Sequence, residues 1–462
     1  MLKNLKLLED EMKTYAIILA SGRGKRFKSQ LPKQFTKLAG KLVIEHTISI
    51  FEKHPLIDEI IIVTLPEYIS RVEELIIKNE WKKVSKILIG GDTRQESSFI
   101  GINSIKEPEA LVLIHDAVRP LVSDRIISEV IKSLAKYDAV DVAIPSTDTI
   151  IEVGDNKIIK KIPKRDYYWR GQTPQGFKLS IIKKAHMLAK QDNFTEITDD
   201  CGLIIHYKLA KVFVVKGEES NIKITTPLDI YIADKLFQLR TIKLVEDTKL
   251  ENLKGKVGIV FGASRGIGKS IVELAKKLNI KIFGFSRKNG IDISKERQVE
   301  KVLKEIYTKE GKIDFIIVTA GILRKKPLIN FSLKEIMEQI NTNYVGSINV
   351  AKLSFPYLKE SKGHLILFSS SSYTRGRAFY SIYSSTKAAI VNLAQALSEE
   401  WAQYGIKINV ICPERTATPM RFENFGREPL ETLLSPEKVA KFTLSVLNTE
   451  ITGQVIEVTK ND

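Results

Sequence analysis

The sequence predicts an α/β protein built as two doubly wound domains in tandem, each a largely parallel sheet wrapped by helices. Three observations carry that expectation. A chain of 462 residues exceeds what one hydrophobic core usually organises. Short runs rich in Ile and Val alternate with longer stretches of helical period, the pattern of strands joined by crossover helices. The alternation then begins afresh at "KGKVGIVFGASRGIG", from Lys254 onward, so the series occurs twice.

Taken in order, the predicted strands of the first series are "AIILA", "EIIIVT", "LVLIH" and "DVAIP". Those of the second are "VGIVFG", "KIFGFS", "DFIIVTAG", "HLILFSS" and "KINVICP". Near-continuous apolar runs suit strands covered on both faces. Between them, segments such as "IVELAKKLNIK" repeat apolar residues at helical spacing. From Ile230 the stretch "IYIADKLFQLRTIKLVEDTKLENL" is polar and free of Gly and Pro, which reads as a helix running into a linker. The expected division is residues 1–235, a linker at 236–252, and residues 253–462.

Composition narrows the function classes. A hydrophobic fraction of 43% is ordinary for a globular protein. No window holds the roughly 18 uninterrupted apolar residues of a membrane helix, so no membrane insertion is expected. The start "MLKNLKLLEDEMKTY" has no apolar signal core, and the two cysteines, Cys201 and Cys412, are too few for a disulfide framework; both points suit the cytoplasm. A formal charge of +17 invites a nucleic-acid reading, yet the lysines are scattered along helices rather than gathered in one block. That leaves a solvated basic surface, or a few cations lining pockets for phosphorylated small molecules.

The loop "LASGRGKRFKSQLPKQF" follows the first strand with small residues, Ala20, Ser21 and Gly22, where backbone N–H groups can approach an anion. It is not a dinucleotide turn, because Phe27 stands where a third glycine belongs and a second cationic element, "PKQ", follows. A nucleoside triphosphate needs several cations, and Arg26 and Lys33 supply them. Further blocks follow in order: "GGDTRQESSFIGI", "IHDAVRP", "PSTDTI", "RDYYWRGQTPQGF" and "NIKITTPLDI". Together they resemble the cytidylyltransferases that act on polyol phosphates, over about 220 residues. The resemblance implies a substrate phosphate attacking the α-phosphorus of CTP, with pyrophosphate departing. It puts catalytic charge stabilisation on Arg26 and Lys33. It implies CTP contacts at Ala20, Ser21, Gly22, Gly91, Asp92, Arg94, Ser97 and Ala117, a Mg²⁺ ligand at Asp116, and an acceptor-phosphate site at Thr149, Arg165 and Lys223. Ser220 departs from the pattern, standing where many relatives carry Asp, which leaves Glu219 to offer a second metal carboxylate. His115 reads as a packed strand residue. The segment from Val142 to Trp169 alternates like a hairpin, and in the family such an arm exchanges between subunits, implying a homodimer.

In the second series, "FGASRGIG" places Gly262, Ser264, Arg265, Gly266, Ile267 and Gly268 between a strand and a helix, a spacing that lays a dinucleotide pyrophosphate on a helix N-terminus. The next strand is followed by Ser286 and Arg287 where an acid would bind a ribose hydroxyl; with Arg265 they read as a 2′-phosphate clamp, hence NADPH. Asp292, Ala320 and Gly321 complete the expected cofactor contacts. Tyr383 and Lys387 lie four apart, on one helical face. With "TAG", "NTNYVG" and the serines before Tyr383, this half resembles the short-chain dehydrogenase/reductase family from Gly255 to about Val458. Its Asn, Ser, Tyr and Lys fall on Asn343, Ser370, Tyr383 and Lys387. The resemblance makes Tyr383 the proton donor to a carbonyl oxygen, Lys387 the ammonium that lowers its pKa and holds the nicotinamide ribose, Ser370 a hydrogen-bond donor to the same oxygen, and Asn343 the holder of a water relay. Departures are cationic: Arg324, Lys325 and Lys326 follow "TAG", Arg375 and Arg377 lie before Tyr383, and Glu414 and Arg415 replace the glycine usual after Pro413. Arg375, Arg377 and Arg415 are the candidate substrate-phosphate ligands.

The resemblances define two Rossmann-like domains, a nucleotidyltransferase and an NAD(P)-binding reductase. Side by side they imply consecutive steps: D-ribulose 5-phosphate reduced to D-ribitol 5-phosphate, then joined to CMP from CTP, for capsule or other surface polysaccharide. The alternative is a methylerythritol phosphate cytidylyltransferase fused to an unrelated ketoreductase.

Overall fold

The computed structural model of the chain describes residues 12–24, 31–195, 197–246 and 250–460. The chain separates into two compact units, Met1–Asp234 and Lys235–Asp462. A helix, Pro227–Glu246, runs through the stretch read as a helix entering a linker. Among the described residues, no helix is long and apolar enough to cross a membrane.

The first unit is organised by a sheet of seven strands: β1 (Thr14–Ala20), β2 (Glu59–Thr64), β3 (Val84–Ile89), β4 (Leu111–Asp116), β5 (Ala139–Pro145), β6 (Trp169–Lys178) and β7 (Val212–Lys216). Their spatial order is β7-β5-β6-β4-β1-β2-β3. Side chains alternate between faces along each strand. Ile17, Ile61 and Val112 therefore enter one apolar layer while Ile18, Ile62 and Leu113 enter the other. One strand departs from the predicted parallel sheet: β6 runs antiparallel to both β4 and β5. The chain leaves β5 through an exposed excursion, residues 146–168, and returns beside the strand it left, which forces antiparallel pairing. Within the excursion Glu152–Val153 and Ile159–Lys161 form a small antiparallel ladder, the hairpin expected there.

Leu19 is paired with Asp116, so the turn after β1 and the end of β4 meet on one edge of the sheet. The chain continues from β1 to β2 on one side and reaches β4 on the other. Such a point, at the carboxyl ends of parallel strands, is where open α/β sheets form ligand crevices.

The second unit holds six parallel strands: β8 (Val257–Phe261), β9 (Lys281–Phe285), β10 (Phe315–Val318), β11 (His364–Phe368), β12 (Lys407–Pro413) and β13 (Val455–Val458). They lie in the order β9-β8-β10-β11-β12-β13. Every residue of β8, β10 and β11 is buried, as continuous apolar runs require. Two helices bring chemistry to the sheet's carboxyl edge. Gly266–Lys277 begins at the glycine turn after β8, and Ser381–Glu400 carries Tyr383 and Lys387 in its first two turns. Cys201 and Cys412 are both buried free thiols.

Candidate active sites

In the first unit the glycine-containing turn after β1 is closed by an amide. Gln34, almost wholly buried, donates through Nε2 to the Ala20 carbonyl at 2.6 Å and the Gly22 carbonyl at 3.1 Å. Lys33, beside it, opens a short 3-10 turn, Lys33–Phe35, and is half-buried. The Ser21 and Ser97 hydroxyls lie 2.7 Å apart, joining this turn to the segment after β3. That segment admits no side chain at Gly90, where a Cβ would stand 2.3 Å from Ser21 Cβ, so the Gly90 backbone packs directly on the Ser21 side chain. Arg26 lies outside the described residues.

The helix Arg94–Asn103 starts beside these loops with a capping box. The Thr93 side chain accepts from the Glu96 N–H, and Glu96 Oε2 accepts from the N–H groups of Asp92 and Thr93. The box fixes Arg94, the first helical residue, with its guanidinium directed at two buried acids. Arg94 Nη1 donates to Asp200 Oδ2 at 2.7 Å, and Arg94 Nε approaches Asp116 Oδ1 at 3.4 Å. Asp200 is held in turn by Ser98 and His186.

Asp116 is the centre of the cluster. Lys223 Nζ lies 2.7 Å from its Oδ2 and Arg119 Nε 3.7 Å from the same oxygen. Burial alone would push the Asp116 carboxyl up; the charges of Arg94, Lys223 and Arg119 outweigh it and hold the group far below the usual carboxylate range. Arg119 also donates to the Asn221 and Gly171 carbonyls, and Asn221 Nδ2 donates to the Thr173 carbonyl, which binds the "NIK" triplet to β6. His115 is fully buried, with one ring nitrogen 2.9 Å from the Thr173 hydroxyl and the other 3.1 Å from the Arg119 carbonyl; burial first lowers its pKa to about 4, so it is a neutral packing residue.

Of the residues expected here, Ser21, Arg94, Ser97, Asp116 and Lys223 meet in these hydrogen-bonded clusters, and the Ala20 and Gly22 carbonyls close the turn. Gly91 leaves no room for a Cβ beside Glu96, and Asp92 contributes its N–H to the cap. Ala117 is committed to structure: its N–H donates to Leu19 and its carbonyl accepts from Thr47. Thr149 and Arg165 are not part of the Asp116 cluster; both are exposed on the excursion, where Arg165 donates to the Thr147 carbonyl. Glu219, offered as a second metal carboxylate, is instead held by Arg170 at 2.8 and 3.0 Å. Sequence reasoning missed Gln34, Arg119, Asp200 and Asn221. Of these, Gln34, Arg119 and Asn221 stand inside quoted blocks, while Asp200 is recruited from a separate helix that no local pattern connects to β4.

In the second unit the turn after β8 is an anion cradle. Gly262 and Gly266 have φ of +99° and +56°, and a Cβ on Gly268 would stand 2.4 Å from the Gly262 carbonyl oxygen and from Thr319 Oγ1. No side chain caps the helix at Arg265, which leaves the N–H groups of its first turn directed into a cleft of about 450 Å³. Gly262, Ser264, Arg265, Ile267, Ser286, Arg287, Asp292, Ala320 and Gly321 all line that cleft. The two expected clamp arginines are already engaged: Arg265 chelates Glu423, and Arg287 lies 3.6 Å from Glu338.

Farther along the same cleft stand Ser370, Tyr383 and Lys387. Lys387 is buried and donates to the Phe368 carbonyl at 2.9 Å, with its ammonium 5.6 Å from the centre of the Tyr383 ring. Burial lowers its pKa to about 8. Burial raises that of Tyr383 to about 12, opposed by the Ser370 hydroxyl. Desolvation of the phenolate is the largest cause of the Tyr383 shift. Among the four adjacent serines, 369 to 372, only the family's spacing singles out Ser370 in the sequence. Ser369 is committed, donating to the Lys387 carbonyl at 2.7 Å, whereas Ser370 interacts with Tyr383. Asn343 sits in a π-helical turn, Asn341–Val345, and spends its amide on structure, accepting from the Ile322 N–H and donating to the Ile322 carbonyl and Thr386. Of the mouth cations, Arg377 and Arg415 line the cleft and Arg375 does not. Arg421, which the sequence reading passed over, does.

Known proteins match both halves of the chain. The family model for IspD, 2-C-methyl-D-erythritol 4-phosphate cytidylyltransferase, matches residues 14–239, and that for adh_short, short chain dehydrogenase, matches residues 289–428. The 2-C-methyl-D-erythritol 4-phosphate cytidylyltransferase of Caldanaerobacter subterraneus is 40% identical over 224 residues, covering 98% of that protein but 48% of this chain. The bifunctional ribulose 5-phosphate reductase/CDP-ribitol pyrophosphorylase Bcs1 of Haemophilus influenzae is 48% identical over 460 residues, 97% of this chain and 96% of that protein. With likeness running the length of both halves, the chain belongs to the family of bifunctional ribulose 5-phosphate reductases/CDP-ribitol pyrophosphorylases, enzymes that join a cytidylyltransferase to a short-chain dehydrogenase.

Proposed function

We propose that the chain reduces D-ribulose 5-phosphate to D-ribitol 5-phosphate with NADPH and then transfers CMP to it from CTP, giving CDP-ribitol and pyrophosphate for capsule or other surface polysaccharide. The observation that carries the reading is two separate anion sites in one chain, a cation-rich one at the end of β1 and β4 and a glycine cradle at the end of β8, in a chain 48% identical along its length to Bcs1.

In the reductase site the cradle fits a dinucleotide pyrophosphate, since the helix that starts at Gly266 has no side-chain cap and its first residues line the cleft. The cofactor would supply the hydride. Arg265, Arg287 and Lys288 stand at the cradle's outer end, which favours NADPH over NADH provided Glu423 and Glu338 yield their arginines. Tyr383, kept protonated by burial, gives its proton to the carbonyl oxygen as the alcohol forms; Ser370 donates to that oxygen, and Lys387 stabilises the tyrosinate left behind.

In the transferase site, Asp116 would offer Mg²⁺ a single carboxylate once Lys223 leaves its Oδ2, the rest of the shell coming from phosphate oxygens and water. Bound there it would neutralise triphosphate charge. Lys33 would stabilise the transferring phosphoryl group, and Lys223, released from Asp116, would hold the acceptor phosphate. Ile151, Val153, Ile158, Ile159 and Ile162 are about half exposed or more on the excursion, an apolar surface that supports a homodimer in which a second copy covers it.

The test is a coupled assay with ribulose 5-phosphate, NADPH, CTP and Mg²⁺, followed by product mass. A CDP-pentitol that disappears when any one component is withheld is expected. Pyrophosphate release with methylerythritol 4-phosphate but not with ribitol 5-phosphate would overturn the reading.

A further inference from the structure

Arg421 differs from its neighbours at the reductase mouth. It lies in the helix Pro419–Phe425, and its side chain is only 18% exposed, against 54% for Arg415. Its guanidinium stacks 3.8 Å from the centre of the Phe425 ring. Both edges of its fork are directed at one carboxylate: Nε lies 2.5 Å from Glu428 Oε2 and Nη2 2.8 Å from Glu428 Oε1, while Arg415 Nη1 stands 3.6 Å from the same group. The third cation of the mouth, Arg377, donates to the Ser371 hydroxyl at 3.2 Å. Glu414, which lines the mouth beside Arg415, accepts from the Lys460 N–H, whereas Glu428 reaches Arg421 from outside the residues that line the cleft.

A planar fork that chelates a carboxylate has the geometry that chelates a phosphate. Stacking and burial fix that fork before any substrate arrives, so little side-chain freedom is lost on binding. Glu428 occupies it. Only a ligand with its own anion can replace Glu428 there; a neutral sugar leaves the pair closed and gains nothing from it.

Resting on the ketose-phosphate reading above, we propose that Arg421 selects the phosphorylated ketose, and that Glu428 is an internal anion the substrate phosphate displaces. Arg415, sharing Glu428, passes to the phosphate in the same exchange. Discrimination against unphosphorylated ketoses thus rests on the Arg421 fork, and displacing Glu428 sets how much of that gain the phosphorylated ketose keeps.

The experiment measures reduction of ribulose 5-phosphate and of D-ribulose by Arg421→Lys, Arg421→Ala and Glu428→Gln, with inorganic phosphate as a competing probe. Loss of the bidentate fork in Arg421→Lys is expected to raise KM for the phosphorylated ketose about tenfold or more, leaving D-ribulose reduction and the KM for NADPH unchanged. Glu428→Gln is expected to lower that KM and to strengthen inhibition by phosphate. NADPH binding, titrated by nucleotide fluorescence, reports whether the reductase unit of each variant is folded; if that of Arg421→Ala is not, the other two carry the test. Equal loss with both ketoses, or an unchanged KM in Arg421→Lys, overturns the assignment while leaving the reductase reading standing. A wild-type enzyme that reduces no ketose phosphate overturns both.

Discussion

Burial acts in opposite directions on the two partners of the reductase site, keeping the proton on Tyr383 and loosening that of Lys387. With Tyr383 at about 12 and Lys387 at about 8, the pair at neutral pH is a phenol beside an ammonium, the state that donates a proton. Reduction should therefore lose kcat/KM as pH rises through about 8, and Lys387→Arg, which keeps its charge, should move that limb upward; a flat profile to pH 10 would refute the role. For stability the sign is the reverse of a paired lysine. The buried ammonium costs stability below about 8, and the cost fades as pH rises toward 10.5, its ordinary value. Asp116 works the other way: its ion pairs stabilise the fold above 3.8, the ordinary value, and the contribution is lost as pH falls below it. Asp116→Asn, which leaves Arg94, Arg119 and Lys223 facing a neutral amide, should cost about 3 kcal/mol, read as a lower denaturation midpoint, and should abolish CMP transfer.

The glycine turn after β8 is the element whose geometry tolerates least. Gly268→Ala would drive a Cβ into the Gly262 carbonyl, so loss of NADPH binding with intact pyrophosphate release is expected; titration of nucleotide fluorescence decides it. This turn was legible in the sequence because both its conformation and its use demand small residues at fixed spacing. β6 was not legible as a strand. "WRGQTPQGFK" carries two glycines and a proline, its register with β5 shifts between Gln172 and Gly176, and its place in the sheet comes from pairing with β4 and β5 rather than from its own propensity. The same holds at the sites. Asp116, Ser370, Tyr383 and Lys387 stand in local motifs, but Asp200 comes to Arg94 from far along the chain, and Arg421 becomes visible only when its helix is seen to line the cleft.

Each unit closes its own apolar layers, so the two chemistries should separate cleanly. Lys33→Ala should lower CMP transfer by roughly 10²–10³-fold, the scale of a lost charge-stabilising donor, and leave ketose reduction untouched. Tyr383→Phe should do the converse. Cross-effects in either assay would mean that one unit is not independent of the other. The order of the two series, and the two kinds of phosphate loop, were readable from spacing and charge; the substrate was not, because a pentulose leaves no signature beyond the cations that meet its phosphate. Having two complete sheets on one polypeptide also sets a stoichiometry. Every site that makes the polyol phosphate is synthesised with one that consumes it, so the standing pool of intermediate follows from the two sets of rate constants and no change in expression level can unbalance them.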